Sequence, residues 1–151
     1  MNSIGIRVAP KVVTFAVVDL DEKAIINIEE IRIPAAFLIP DSLKYLRSNI
    51  LDVIREYSVE SAGIRITESN AQSMSIERIQ MEGVIQEAFA SSDLKSYYIG
   101  QISNISKRLG FDRVRFKPMV SGDDDLGIEN WGNMSKEARE AVLCGLGAEN
   151  A

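Results

Sequence analysis

The sequence predicts an α/β fold, a five-stranded mixed sheet in the order 3-2-1-4-5 with helices on both faces. Three observations predict it. The first three apolar, β-branched segments are joined by links short enough for hairpins, which makes them an antiparallel meander. Later segments alternate with helical patterns, which suit parallel crossovers onto the same sheet. The tetrapeptide Gly5-Ile6-Arg7-Val8 is then echoed by Gly63-Ile64-Arg65-Ile66, so two strands carry one pattern. Pleating puts Gly5 and Arg7 on one face and Ile4, Ile6 and Val8 on the other, and it divides Gly63, Arg65 and Thr67 from Ala62, Ile64 and Ile66. A guanidinium keeps its charge, so an arginine in an apolar strand needs an anion beside it.

Taken in order, residues 3–8 and 12–20 read as strands around the short link Ala9-Pro10-Lys11. Asp21-Glu22-Lys23 turns into a third strand near 24–33, rich in isoleucine. Pro34 and Pro40 bracket a crossover, and Asp41 or Ser42 caps a helix. Leu43, Leu46, Ile50, Val53, Ile54 and Tyr57 then line one face of it. A strand at 62–68 follows, then a helix from about 73 to 90 with Met81, Val84, Ile85 and Ala88 inward, then a short strand at 94–99. Residues 101–109 form a small helix ended by Gly110. Residues 111–134, with three consecutive aspartates at 123–125, read as an exposed loop. Ser135 caps a closing helix that runs to about 146, with Glu137 in its first turn. No linker divides the chain, so residues 1–151 are expected to form one domain.

Composition excludes more than it identifies. A net charge of −5 argues against non-specific nucleic-acid binding, although a local basic patch stays compatible with it. With no histidine the commonest general base and transition-metal ligand are missing. A lone Cys144 forms no intrachain disulfide and suits a reducing, cytoplasmic setting. The first residues lack a signal-peptide pattern, and no apolar run approaches the ~20 residues that span a bilayer.

The order of elements resembles the ribonuclease H-like superfamily, and within it the RuvC-type junction resolvases. Gly5-Ile6-Arg7 is similar to the Gly-Ile-Asp of that family's first strand, and Arg65 matches the strand-four Glu. The stretch Ser75 to Gly83 looks like the start of the next helix. Glu137-Ala138-Arg139-Glu140 has the spacing of the closing-helix Asp-x-x-Asp. The strand-four Ile-Arg also resembles an uncharacterised bacterial RNase H-like family. The resemblance implies two Mg²⁺ ions held by four acids for phosphodiester hydrolysis. Two of those acids are arginines here. At ~4 Å and an effective dielectric of ~20, one guanidinium repels a divalent ion by roughly 8 kcal/mol. The expectation is therefore a catalytically degenerate domain with no catalytic residue, no metal and no cofactor. The resemblance also implies a homodimer through the helix after strand four, where Ile76 and Ile79 lie outside the inward stripe.

Arg7, Arg65, Glu68, Glu137 and Glu140 are the candidate site. They form either a structural ion cluster, with each arginine within reach of Glu137 or Glu140, or a pocket for an anionic ligand or protein partner. The alternative is a nuclease with a relocated metal site built from Glu68, Glu137 and Glu140, with Asp19 a further candidate. A nucleotide-binding reading shares the strand layout and is the third alternative, although the chain lacks Gly-rich phosphate turns, Ala9-Pro10-Lys11 not being one. Glu68, Glu77 and Glu82 read as solvated charges, with Glu68 alone near the rim of the cluster. Cys144 reads as a packing residue, and Trp131 as a cover for an edge.

Overall fold

The structure, a computed structural model, describes residues 1–149 and Ala151. Strands β1 (Asn2–Ala9), β2 (Val12–Asp19) and β3 (Ala24–Arg32) form the meander. Helix α1 (Ile39–Glu56), strand β4 (Val59–Arg65), helix α2 (Ile76–Ser91) and strand β5 (Ser96–Gly100) complete the sheet. Its order is β3-β2-β1-β4-β5, as the sequence predicts. β1 and β3 are antiparallel to β2, β4 is parallel to β1, and β5 is parallel to β4. The echoed tetrapeptides lie side by side in register, with Gly5 opposite Gly63, Ile6 opposite Ile64 and Arg7 opposite Arg65.

Helices α1 and α2 bury Leu46, Ile50, Ile54, Met81 and Ile85 against Ile4, Ile6, Phe15 and Ile64 on one sheet face. The opposite face packs against helices α3 (Ile102–Leu109), α4 (Phe116–Ser121) and α5 (Lys136–Leu146), with Ala16, Val18, Ile105, Phe116, Val142 and Leu143 at its centre.

Several boundaries differ from expectation. α1 begins at Ile39, before the Asp41 or Ser42 cap, because Pro40 fits the first turn, where an N–H would have no helical partner. β4 spans Val59–Arg65 rather than 62–68: it leaves α1 almost at once and pairs from Asn2 onward, so Ile66, Thr67 and Glu68 fall beyond the strand. α2 begins at Ile76, where the Ser75 hydroxyl accepts from the Arg78 amide, rather than near 73.

The largest correction concerns 111–134. This stretch holds a 3₁₀ turn at Arg113–Arg115, helix α4 and a second 3₁₀ turn at Trp131–Asn133. A six-residue helix is too short to show a period, and Pro118 sits in its first turn, where no bond is lost. Its two ends are packed, while residues 122–130, with Asp123 and Asp125 exposed, form the loop that was expected. Trp131 is buried and donates from Nε1 to the Met119 carbonyl at 2.9 Å. The Arg139 guanidinium of α5 is buried too, donating to the carbonyls of Val120, Trp131 and Gly132 at 2.7, 3.0 and 3.2 Å.

Candidate functional site

Small residues create the site. Gly5 and Gly63 leave the sheet bare at its centre, and Ala138, Ala141 and Gly145 give α5 a low face to lay on it. A Cβ on Gly5 would overlap the Ala141 carbonyl oxygen and the Gly145 amide, and one on Gly63 would run into the Tyr98 ring. The Ser3 hydroxyl donates to the Gly145 carbonyl at 2.7 Å, and the Tyr98 hydroxyl donates to the Cys144 carbonyl at 2.6 Å. Burial raises the Tyr98 phenol well above its ordinary value and pushes the Cys144 thiol up to about 11, which leaves both neutral. Cys144 is fully buried, as a packing residue should be.

This close approach delivers Glu140 to the arginines. One carboxylate oxygen, Oε2, lies 2.9 Å from Arg7 Nε and 3.2 Å from Arg65 Nε. The attraction is Coulombic rather than directional, because neither Arg65 Nε nor that oxygen makes a hydrogen bond of good geometry. Arg65 also donates from Nη1 to the Ile66 carbonyl and to Glu68 Oε2, the latter at 3.1 Å. Glu68 Oε2 in turn accepts from the Ile102 amide at 3.1 Å and ties the start of α3 to the cluster. Arg7 Nη1 reaches the Arg65 carbonyl at 3.3 Å. Burial lowers the Arg7 guanidinium to about 10, the Arg65 charge adding to the effect and Glu140 opposing it, so Arg7 stays charged at neutral pH. Two cations thus face two anions.

The structure brings together Arg7, Arg65, Glu68 and Glu140 but leaves Glu137 out. Glu137 is exposed and makes no ion pair among the described residues. Three residues along a helix is a 60° offset and about 4.5 Å of rise, enough to carry it past the arginines. Asp19 lies at the far end of the sheet, opposite Asn2, where it pairs with the chain's amino group at 3.8 Å. Glu82 is a second correction. Instead of a solvated charge it is buried, and it accepts from the Thr67 amide at 3.0 Å, the Thr67 hydroxyl at 2.9 Å and Arg78 Nε at 3.0 Å. Its spacing of four from Arg78, beside Met81 of the inward stripe, is the signal that could have found it.

The resemblance implies a metal pair, and the donors do not fit one. Among the described residues no group of three or more His, Cys, Asp or Glu side chains is placed to hold a metal ion. Glu68 and Glu140 are both engaged by Arg65. Beside the cluster opens a groove of about 540 Å³ lined by Arg65, Phe116, Lys117, Asp123, Lys136 and Glu140, among others. It adjoins a basic run that sequence reasoning missed. Lys107, Arg108, Arg113, Arg115 and Lys117 are all exposed, with Asp112 the one acid between them. Arg108 lies over the Tyr98 ring at 4.1 Å, and Arg115 pairs with Asp124 at 3.1 Å. Lys107, Arg113, Lys117 and Lys136 make no ion pair among the described residues.

Comparison with solved structures gives the fold a precedent. RuvC from Thermus thermophilus superposes with a TM-score of 0.73 at 13% identity, over 97% of this chain and 92% of that one. The same organism's RuvC in complex with Holliday junction substrate gives 0.72 at 13% identity, over 97% and 91%. The yeast mitochondrial Holliday junction resolvase Ydc2 gives 0.56 at 10% identity, over 96% and 76%. The chain therefore has the RNase H-like fold in its RuvC form. No protein-family model matches it, and no curated protein does.

Proposed function

We propose that this RuvC-like chain, folded as one domain, binds an anionic partner without hydrolysing it, and that the partner is a nucleic-acid backbone. One observation carries the loss of hydrolysis. Guanidiniums stand on β1 and β4 where the resemblance puts metal-binding acids, and Glu140 is committed to both of them. Four cations that make no ion pair among the described residues, Lys107, Arg113, Lys117 and Lys136, support the anionic partner, in a chain whose net charge is −5. The junction bound by Thermus thermophilus RuvC supports nucleic acid as its class.

Fluorescence anisotropy with duplex and branched DNA across a salt series tests the binding. Lys107→Gln, Arg113→Gln and Lys117→Gln together should weaken it and flatten the salt slope by roughly 2 to 3, at about 0.9 for each phosphate no longer neutralised. Unchanged binding, or none in the parent chain at low salt, removes nucleic acid and leaves a protein partner. The same substrates should survive incubation with Mg²⁺ or Mn²⁺. Specific cleavage that Glu140→Gln abolishes would favour a hydrolase with a relocated site at Glu68, Glu137 and Glu140. The assembly that fits is a homodimer through α2, where Ile76 is 74% exposed and Ile79 is 43% exposed.

A further inference from the structure

We infer that a pocket between the β3–α1 crossover and the first turns of α2 is a docking site for a short segment of a partner protein, one that presents a leucine or phenylalanine between an acid and a base. The crossover is the anomaly that points to it. Pro34 to Pro40 are seven consecutive apolar residues, and all seven are exposed. Exposed loops are ordinarily polar, and apolar runs of this length mark a surface that another molecule covers. The run is held in place rather than loose. The Pro34 carbonyl accepts from the Phe37 amide at 3.1 Å, the Leu38 carbonyl accepts from the Ser42 amide at 2.9 Å, and the Phe37 ring meets Tyr45 edge-on at 5.6 Å. A surface ordered in advance loses less entropy when it binds.

Shape and charge name the occupant. The pocket holds about 180 Å³ among Ile33, Phe37, Ile39, Leu43 and Met81, below the ~300 Å³ at which sites for whole small ligands begin. It is the size for one large apolar side chain, the anchor of a protein contact. Its polar lining includes Lys11, from the β1–β2 turn, and Glu77, from α2. Both are exposed, and neither makes an ion pair among the described residues. A cation and an acid on one rim suit a segment that carries both signs, whereas an anionic membrane surface would call for cations alone. Ile76 and Ile79, the residues that fit a second copy, stand roughly a third of a turn away around α2. The pocket also lies on the sheet face opposite the basic run, so a partner seated there leaves that run open.

The test titrates the full chain with a set of short synthetic peptides. Each has phenylalanine or leucine at its centre and Asp and Lys on either side, in both orders and at several spacings. Backbone amide NMR shifts read the binding. At least one peptide should give saturable shifts centred on Phe37, Ile39, Leu43 and Glu77. Alanine in place of its central residue should weaken it by about tenfold or more. Lys11→Glu should weaken it by about threefold, and a peptide with Lys in place of its Asp should bind Lys11→Glu more tightly than it binds the parent. Lys11 and Phe37 are exposed, so their substitution leaves the core intact, which circular dichroism checks. The inference is overturned if no peptide gives saturable shifts, or if binding ignores the central residue or the Lys11 reversal. A fall in sedimentation mass with Phe37→Ser would overturn it in favour of a second copy. Flotation with phosphatidylcholine–phosphatidylglycerol vesicles that Phe37→Ser abolishes would overturn it in favour of a membrane surface. None of these results depends on whether the chain binds nucleic acid, which anisotropy reads separately.

Discussion

Arg65 has a side chain only 6% exposed and pairs with two acids, so its loss leaves buried negative charge behind. Arg65→Met alone should destabilise the fold by about 3 kcal/mol, and more than Arg65→Met combined with Glu140→Leu, because the second change removes the stranded acid. Urea midpoints of the three proteins check this, and equal single and double losses would show that the pair is not structural. The buried acids of α5 and β5 set an alkaline limit. Folding raises Cys144 from 9.0 to about 11 and raises Tyr98 further above its usual range. Between pH 9 and 10 the unfolded chain therefore sheds protons that the folded chain keeps, and stability falls by about 1 to 2 kcal/mol as pH rises. Cys144→Ala should flatten most of that slope in denaturation at stepped pH. At this scale the arginines were legible, because a charge in an apolar strand demands a partner. The choice of Glu140 over Glu137 was not, since both sit on one helix face and only the docking depth of α5 separates them. Arg139 was illegible because its acceptors are carbonyls in a stretch without pattern.

The strands and long helices repeat a simple lesson about pattern length. α1 has eighteen residues and shows its face through Leu46, Ile50, Val53 and Ile54, whereas six-residue α4 shows nothing until Phe116, Met119 and Val120 are seen under α5. Edges were set by pairing rather than propensity, as when β4 stops at Arg65 opposite Arg7. The contact that decides the site is between elements, where α5 rides on β1. Gly5→Ala should cost about 3 kcal/mol, since the new Cβ meets backbone atoms of α5 that cannot turn aside. Gly145→Ala should cost less, because its Cβ would lie 3.2 Å from the Gly5 amide and 3.3 Å from a Val18 methyl that can give. Guanidinium chloride midpoints rank the two, and the reverse order would mean that α5 does not hold its place by this approach.

At the scale of the whole molecule, the basic run and the exposed isoleucines of α2 lie on different faces of the sheet. The basic run from Lys107 to Lys117 belongs to α3, α4 and the turn between them, on the sheet face opposite α2. The apolar surface of α2, Ile76 and Ile79, is therefore free to meet a second copy while the basic face stays open. Sedimentation at ~100 µM should show a dimer if its Kd is ~10 µM or lower, and Ile76→Asp should return it to monomer mass. A parent chain that sediments as monomer there counts against pairing. Among the described residues no helix is long and apolar enough to cross a membrane.

The packing of Trp131 has a practical consequence. It is the only tryptophan in the chain, it is 2% exposed, and its indole is fixed to the Met119 carbonyl of α4, the helix that walls the groove. Its ultraviolet emission is therefore a native optical gauge of that wall, undiluted by other indoles. The spectrum should lie to the blue while α4 is seated and move to the red when Arg139→Met frees the turn that carries the indole. An occupant of the groove that shifts α4 would announce itself in the same signal, with no dye attached.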